Sequence, residues 1–206
     1  MLSYQTVTYA QNPEDLIQNA LPWVVEAGNP YYTLLFGSAE STLRVLNTWM
    51  RRASSEVSIS RVQFLIYESE FAGGFIGLGG DELRKARKSD GVALLNACSA
   101  ADRPALIQRL ANLSDLLSPI DQDEYYLSKL GVDSRFRGRK LGRALVERYI
   151  EEGKIRGYVR YRLDVHVGNE AAIRAYRSAG FRVRGRTESK DGALVYYSMT
   201  YDRLGI

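Results

Sequence analysis

The stretch Leu130–Gly142, LGVDSRFRGRKLG, runs straight into the helical pattern LGRALVERYIEEGKIRG that begins at Leu141. Together they read as a strand, a short basic turn and an amphipathic helix. A helix start leaves backbone N–H groups without intrahelical partners at the positive end of the dipole, which is where an anion is held. Gly138 and Gly142 remove side chains where a ligand would approach the backbone. Arg135, Arg137, Arg139, Lys140 and Arg143 surround them with positive charge. From Arg135 to Arg162 there are ten Lys/Arg against three Glu, a local +7 within a chain of net +4, which leaves −3 for the rest. A nucleic-acid binder spreads basic residues over a broad face; a focal basic segment at a helix start suits one compact polyanion. The bland alternative is a solvated basic turn. The turn has neither the Gly-Lys-Ser/Thr of a phosphate-binding loop nor a G-x-G-x-x-G fingerprint.

The next segments complete a pattern. Arg162–Val167, RLDVHV, reads as a strand, and NEAAIRAYRSAGF follows from Asn169 to Phe181. Over Tyr125–Phe181 the chain resembles the GCN5-related N-acetyltransferases, the GNAT superfamily. That family's Arg/Gln-x-x-Gly-x-Gly/Ala signature is met by Arg137, Gly138, Arg139, Lys140, Leu141 and Gly142, with Lys140 standing where glycine is usual. The later N-x-x-A-x-x-x-Y-x-x-x-G-F pattern falls on Asn169, Ala172, Tyr176, Gly180 and Phe181.

Composition sets the bounds. The 206 residues are 45% hydrophobic and 25% charged, ordinary for a globular chain, and one domain over residues 1–206 is expected. No apolar run approaches a membrane span and no secretory signal is visible, so a cytoplasmic protein without membrane contact is expected. A single cysteine, Cys98, excludes an internal disulfide, and with a single histidine, His166, a Cys/His zinc site is not expected.

In chain order, Tyr4–Tyr9 alternates as a first strand. Asn12 before Pro13 starts a helix that carries Leu16, Ile17, Ala20, Leu21, Val24 and Val25, and Pro22 is placed to kink or divide it. Ser38 or Ser41 caps the next helix. Val62–Phe71 and Phe75–Leu78 read as a hairpin turning at Ala72, Gly73 and Gly74. Asp81–Asp90 reads as exposed. Two helical patterns then lie in Gly91–Pro119, and the resemblance makes them part of an insertion of about residues 82–119 between the third and fourth strands. They would cover the acceptor site, or form an extra packing layer or a homodimer contact. Alternation in the fourth strand puts Glu124, Tyr126, Ser128, Leu130 and Val132 on one face. The last strands, from Phe181 and Val195, join through Lys190, Asp191 and Gly192.

The resemblance implies an α/β (α+β) fold with a mixed, mostly antiparallel sheet flanked by helices. It implies acetyl-CoA as acetyl donor, no metal, and transfer to a primary amine by direct attack in a ternary complex. The amine would belong to a small molecule or a protein; nucleic acid is not expected as a partner. The pantetheine arm would run along Leu130, Gly131 and Val132, with a bulge compatible with Gly131. The pyrophosphate would lie on Arg137, Gly138, Arg139, Lys140, Leu141, Gly142 and Arg143, and Asn169 would bond the arm or cap its helix. Tyr176 is the expected general acid, against the plain reading of a core aromatic. Glu124 is the expected base because the family's usual strand position holds Tyr126; Glu68, Glu70, Asp81, Glu82 and His166 are rivals. Other readings are a non-catalytic acetyl-CoA-binding module, transfer of another acyl group, and a hydroxyl acceptor.

Overall fold

Short polar residues start three of the helices as their sequence suggests. Asn12 Oδ1 accepts the Glu14 N–H at 3.1 Å, Ser38 Oγ accepts the Ser41 N–H at 3.0 Å, and Asn169 Oδ1 accepts the Ala172 N–H at 3.1 Å. In this computed structural model, which describes residues 2–6, 12–116 and 119–203, those helices are α1 (Pro13–Gly28), α3 (Ala39–Met50) and α7 (Glu170–Ser178). The others are α2 (Tyr31–Phe36), α4 (Gly80–Ala97), α5 (Arg103–Leu113) and α6 (Leu141–Ile155). The strands are β1 (Leu2–Thr6), β2 (Val62–Tyr67), β3 (Glu70–Gly79), β4 (Glu124–Val132), β5 (Arg160–His166), β6 (Arg182–Glu188) and β7 (Val195–Asp202). The expected first strand is seen as far as Thr6, and its continuation over 7–9 lies outside the described residues. Pro22 does not divide α1.

The strands form one sheet in the order β1-β2-β3-β4-β5-β7-β6, antiparallel at every step except β4 against β5. Side chains alternate between its faces. Val62, Phe64, Ile76, Leu78 and Tyr126 pack with residues of α1 to α5. Leu65, Phe75, Tyr125, Leu127, Tyr161 and Leu163 pack under α6 and α7. The fold is therefore the expected mixed, mostly antiparallel α+β sheet with helices on both faces. No helix among the described residues is long and apolar enough to cross a membrane.

Four local expectations are corrected. The β2–β3 hairpin turns at Glu68 and Ser69, both left-handed (φ 51° and 68°), the signature of a two-residue primed turn. Gly73 and Gly74 lie inside β3 because neighbours leave no room for a side chain: a Cβ on Gly73 would stand 2.9 Å from Val132 Cα, and one on Gly74 2.5 Å from Gln63 O. The charged run Asp81–Asp90 opens α4, and Asp90 at its inner face is buried. The β4 bulge falls at Ser128, not Gly131: Ile76 pairs with Lys129 and Gly77 with Leu127, while Gly131 pairs regularly with Gly74. A bulge reverses the alternation beyond it. Tyr126 thus packs with the α1–α5 side, whereas Leu130 and Val132 pack with the α6–α7 side.

Gly153 shows how tightly α6 is seated. A Cβ there would meet the Tyr161 ring and stand 2.6 Å from Tyr125 Cδ1, and both tyrosines are fully buried. Alanine would gain about 1 kcal/mol of helix propensity but overpack fixed rings at about 1–3 kcal/mol. Gly153→Ala should therefore lower unfolding stability in urea, and a rise would show that the rings can yield.

Candidate active site

Strands β4 and β5 pair only from Glu124–Arg160 to Leu127–Leu163. Beyond that they part, so the β5-facing edge of residues 128–132 has no strand beside it, and a cleft of about 840 Å³ opens there. Leu130, Gly131, Val132, Arg137, Gly138, Lys140, Leu141, Gly142, Arg143, Asn169 and Tyr176 all line this cleft. Arg139 does not; its guanidinium stacks on Tyr67 and Phe136 and pairs with Glu68 at 3.7 Å.

The turn into α6 suits an anion. Unlike α1, α3 and α7, α6 has no side-chain cap and no acidic residue in its first turn. Its leading N–H groups are left for a ligand. Gly138 and Gly142 have nothing within 4 Å of where a Cβ would stand, so the space before the helix is open. Arg137 meets Glu26 of α1 at 2.5 Å across the cleft mouth. Both side chains are more than half exposed (51% and 62%), so the pair contributes at most about 1 kcal/mol and can yield to a phosphate. These features fit coenzyme A, a pyrophosphate on a long, partly apolar arm.

Tyr176 lies against Phe181 at the cleft wall, and burial raises its hydroxyl above the usual phenol range, which keeps it protonated. Asn169 Oδ1 is engaged as the α7 cap, which leaves the amide nitrogen for a ligand.

Glu124 is elsewhere. It begins β4, four residues before the bulge and so roughly 13 Å along the strand. It is 1% exposed, accepts the Asp121 N–H at 3.0 Å, and faces Arg162 at 3.6 Å and Arg184 at 3.4 Å. It lines neither this cleft nor the cavity described next. Glu68 and Glu70 face Arg139 and Arg135, Asp81 faces Arg84, and Glu82 faces Arg156. His166 lines the cleft, its Nδ1 accepting the Gly168 N–H at 3.2 Å.

A second, smaller cavity of about 200 Å³ adjoins the cleft. Ala27, Ser128, Lys129, Asp164 and Tyr196 border both. Its walls are Tyr31, Tyr32, Leu35 and Trp49 on one side and Leu94, Leu110 and Leu116 from the α4–α5 region on the other. Within it, Glu56 Oε1 accepts the Ser128 hydroxyl at 2.6 Å and faces Lys129 Nζ at 3.6 Å, while Oε2 accepts Arg87 Nε at 3.1 Å. Burial opposes the Glu56 charge, but Arg87 and Lys129 outweigh it and bring the carboxyl down to about 2. Burial pulls the Lys129 ammonium below its usual range, with Glu56 opposing; its Nζ lies 5.1 Å over the Tyr32 ring. Burial lifts Asp164 above the usual carboxylate range although Tyr126 donates to its Oδ2 at 3.1 Å. Burial also raises Asp90, to about 6, against hydrogen bonds from the Glu56 N–H (2.8 Å) and Ser55 (3.0 Å). Sequence reading missed this cluster, whose members come from a loop, α4, β4 and β5. Its one visible signal was Lys129, a lone cation inside the half-apolar strand EYYLSKLGV.

Residues 107–181 match the model of the acetyltransferase (GNAT) family. The chain is 46% identical over 59 residues to the [ribosomal protein bS18]-alanine N-acetyltransferase of Salmonella typhimurium, spanning 29% of this chain and 40% of that protein. It is 38% identical over 76 residues to the N-alpha-acetyltransferase RimI of Mycobacterium tuberculosis, 35% of this chain and 46% of the other. The chain thus spans less than half the length of these curated relatives. Its fold is similar to that of an N-acetyltransferase from Staphylococcus aureus Mu50 (TM-score 0.71, 18% identity, 97% and 100% of the two chains). It is also similar to arylalkylamine N-acetyltransferase 2 from Aedes aegypti (TM-score 0.61, 16% identity, 98% and 99%).

Lys140, the residue in the glycine place of the motif, is left-handed at φ 62°, ψ 14°. That conformation costs a side chain about 1–2 kcal/mol, against about 0.5–1 kcal/mol for the extra freedom of an unfolded glycine. Lys140→Gly should raise Tm by about 1–4 °C; an unchanged or lower Tm in a thermal scan would mean that the lysine side chain holds the turn.

Proposed function

We propose that this chain, which belongs to the GNAT acetyltransferase family by its matched segment and its fold, is an acetyl-CoA-dependent N-acetyltransferase acting on a primary amine. The observation that carries this reading is the meeting of the larger cleft and the smaller cavity at Ser128, Lys129, Asp164 and Tyr196, where β4 and β5 part. A donor in one and an acceptor in the other would meet there in a ternary complex, without an acyl-enzyme. Cys98 lines neither space.

Bound acetyl-CoA supplies the acetyl group as a thioester. The uncapped start of α6, with Gly138 and Gly142, receives the pyrophosphate, while the unpaired edge of residues 128–132 receives the arm in strand fashion. A backbone N–H on that edge holds the oxygen that becomes negative as the amine adds, a large term in acyl transfer. Asp164 takes the proton of the attacking amine, directly or through water; it replaces Glu124 because it borders both spaces and its raised affinity for a proton suits a base. Tyr176 gives its proton to the departing sulfur. We read α4 and α5 as an insertion that closes the acceptor cavity. At about 200 Å³ against about 840 Å³ for the cleft, it suits a small amine.

Calorimetry with acetyl-CoA, then thiol release with amine panels, tests the reading; absence of binding at millimolar acetyl-CoA defeats it. Tyr176→Phe should lower kcat about ten- to a thousandfold with acetyl-CoA affinity unchanged. An unchanged kcat removes the tyrosine from the mechanism. Asp164→Asn should lower kcat/KM by at least about tenfold and abolish the acidic limb of its pH profile, since the base must be ionised above its raised pKa. If the limb survives in the variant, another group is the base.

A further inference from the structure

We propose that the smaller cavity selects an acceptor that carries a carboxylate beside its amine, a free amino acid with an apolar or aromatic side chain. This rests on the acetyltransfer reading above and assigns the substrate class of its acceptor site.

Charge balance within an apolar space carries the argument. Asp90 is answered by Arg52 at 3.4 Å. Glu56 is answered twice, by Arg87 and Lys129, which leaves one positive charge in excess on the inner wall. Asp164 stands at the border with the cleft, bonded to the Tyr126 hydroxyl. The Arg87 guanidinium lies 5.0 Å over the ring of that same Tyr126. The positive wall and the negative mouth are thus one tyrosine apart.

The acceptor amine must approach Asp164, because only the border with the cleft reaches the donor. A simple ammonium would enter a cluster whose three carboxylates are already matched by Arg52, Arg87 and Lys129. It would add an unmatched charge to a largely apolar space, which disfavours its entry. An amino acid enters as a zwitterion and adds none. Its carboxylate meets the excess charge of Arg87, whose guanidinium carries five N–H donors, of which Glu56 takes Nε and Tyr126 takes a further side-chain hydrogen bond. When the amine proton passes to Asp164, the substrate carboxylate matches the positive charge then left on the cluster. Between nitrogen and carboxylate oxygen an α-amino acid spans roughly 3 Å, and a charge-assisted bond of ~2.8 Å at each end lets it bridge the tyrosine. The leucine and aromatic walls receive the side chain.

The reaction balances. The ammonium gives one proton to Asp164, the freed amine nitrogen bonds to the acyl carbon, the carbon–sulfur bond breaks as sulfur takes the Tyr176 proton, and the second proton on nitrogen passes through water to restore Tyr176 while Asp164 releases its proton to solvent. The products are an N-acetylamino acid and the free thiol.

The test compares matched pairs on the full chain by thiol release: L-phenylalanine with phenethylamine, and L-leucine with isopentylamine. Each pair keeps the body and the amine and deletes only the carboxylate. The expected result is a kcat/KM at least about tenfold higher for both amino acids, and loss of that advantage in Arg87→Gln, read as the ratio of amino acid to amine kcat/KM within each pair. The wild-type comparison stands if the variant does not fold. Equal or better turnover of the decarboxylated amines overturns the inference and leaves acetyl transfer intact. Acetyl-CoA binding without turnover of any of the four also overturns it, with the donor site intact. Failure to bind acetyl-CoA removes the acetyltransfer reading and this one with it.

Discussion

Ser128 is one residue more than β3 can pair, and its insertion into β4 determines what the cleft contains. Before it, β4 is held on both edges, by β3 and by β5. At the bulge the strand bends and its twist increases, β5 diverges, and a run of backbone groups is left without a strand partner. An edge of that kind in open solvent invites aggregation; here it lies inside a cleft and is suited to an extended ligand. The same insertion places Ser128 and Lys129 together on the Glu56 side, which strict alternation forbids. One extra residue therefore both frees the edge and delivers a buried cation to the smaller cavity.

The cavity in turn depends on charges that pair only within the folded chain. Leaving Glu56 buried without Arg87 and Lys129 would cost several kcal/mol, and so would leaving either cation without Glu56. Leucines would pack the same volume at lower cost. An ionic cluster kept beside a free space is better explained by recognition of a polar ligand than by stability, and its aromatic rims hold the charged groups in fixed positions.

The turn and helix start that line the cleft were legible in the sequence because they are local. A strand end, a turn with Gly138, and a helix start with Gly142 occupy consecutive residues, so spacing alone reports their geometry. Asn169 and Tyr176 are likewise tied by one helix. The smaller cavity was illegible for the opposite reason. Glu56, Arg87, Lys129 and Asp164 are distant in sequence and each alone resembles an ordinary surface charge. The bulge also broke the period-two rule that placed Glu124 and Tyr126 on one face with Leu130. Gly73 and Gly74 misled because glycine marks both turns and crowded strands; the turn itself was made by Glu68 and Ser69, which carry no glycine signal.

The similarity to known proteins divides along the same line. The family match starts within α5 and ends at Phe181, so it takes in β4, α6, β5 and α7 and omits α1 to α4. A pyrophosphate and its arm impose fixed demands on backbone geometry: free N–H groups, an open turn and an unpaired edge. Few arrangements supply all three, so chains that meet them look alike. The smaller cavity makes no such demand: its walls come from α1, α2, α3, the loop carrying Glu56, α4 and α5, with a passage to the cleft at Asp164. That passage is where the two halves constrain each other. Lys129 belongs to β4 by its backbone and to the smaller cavity by its ammonium, at a position that the bulge fixes.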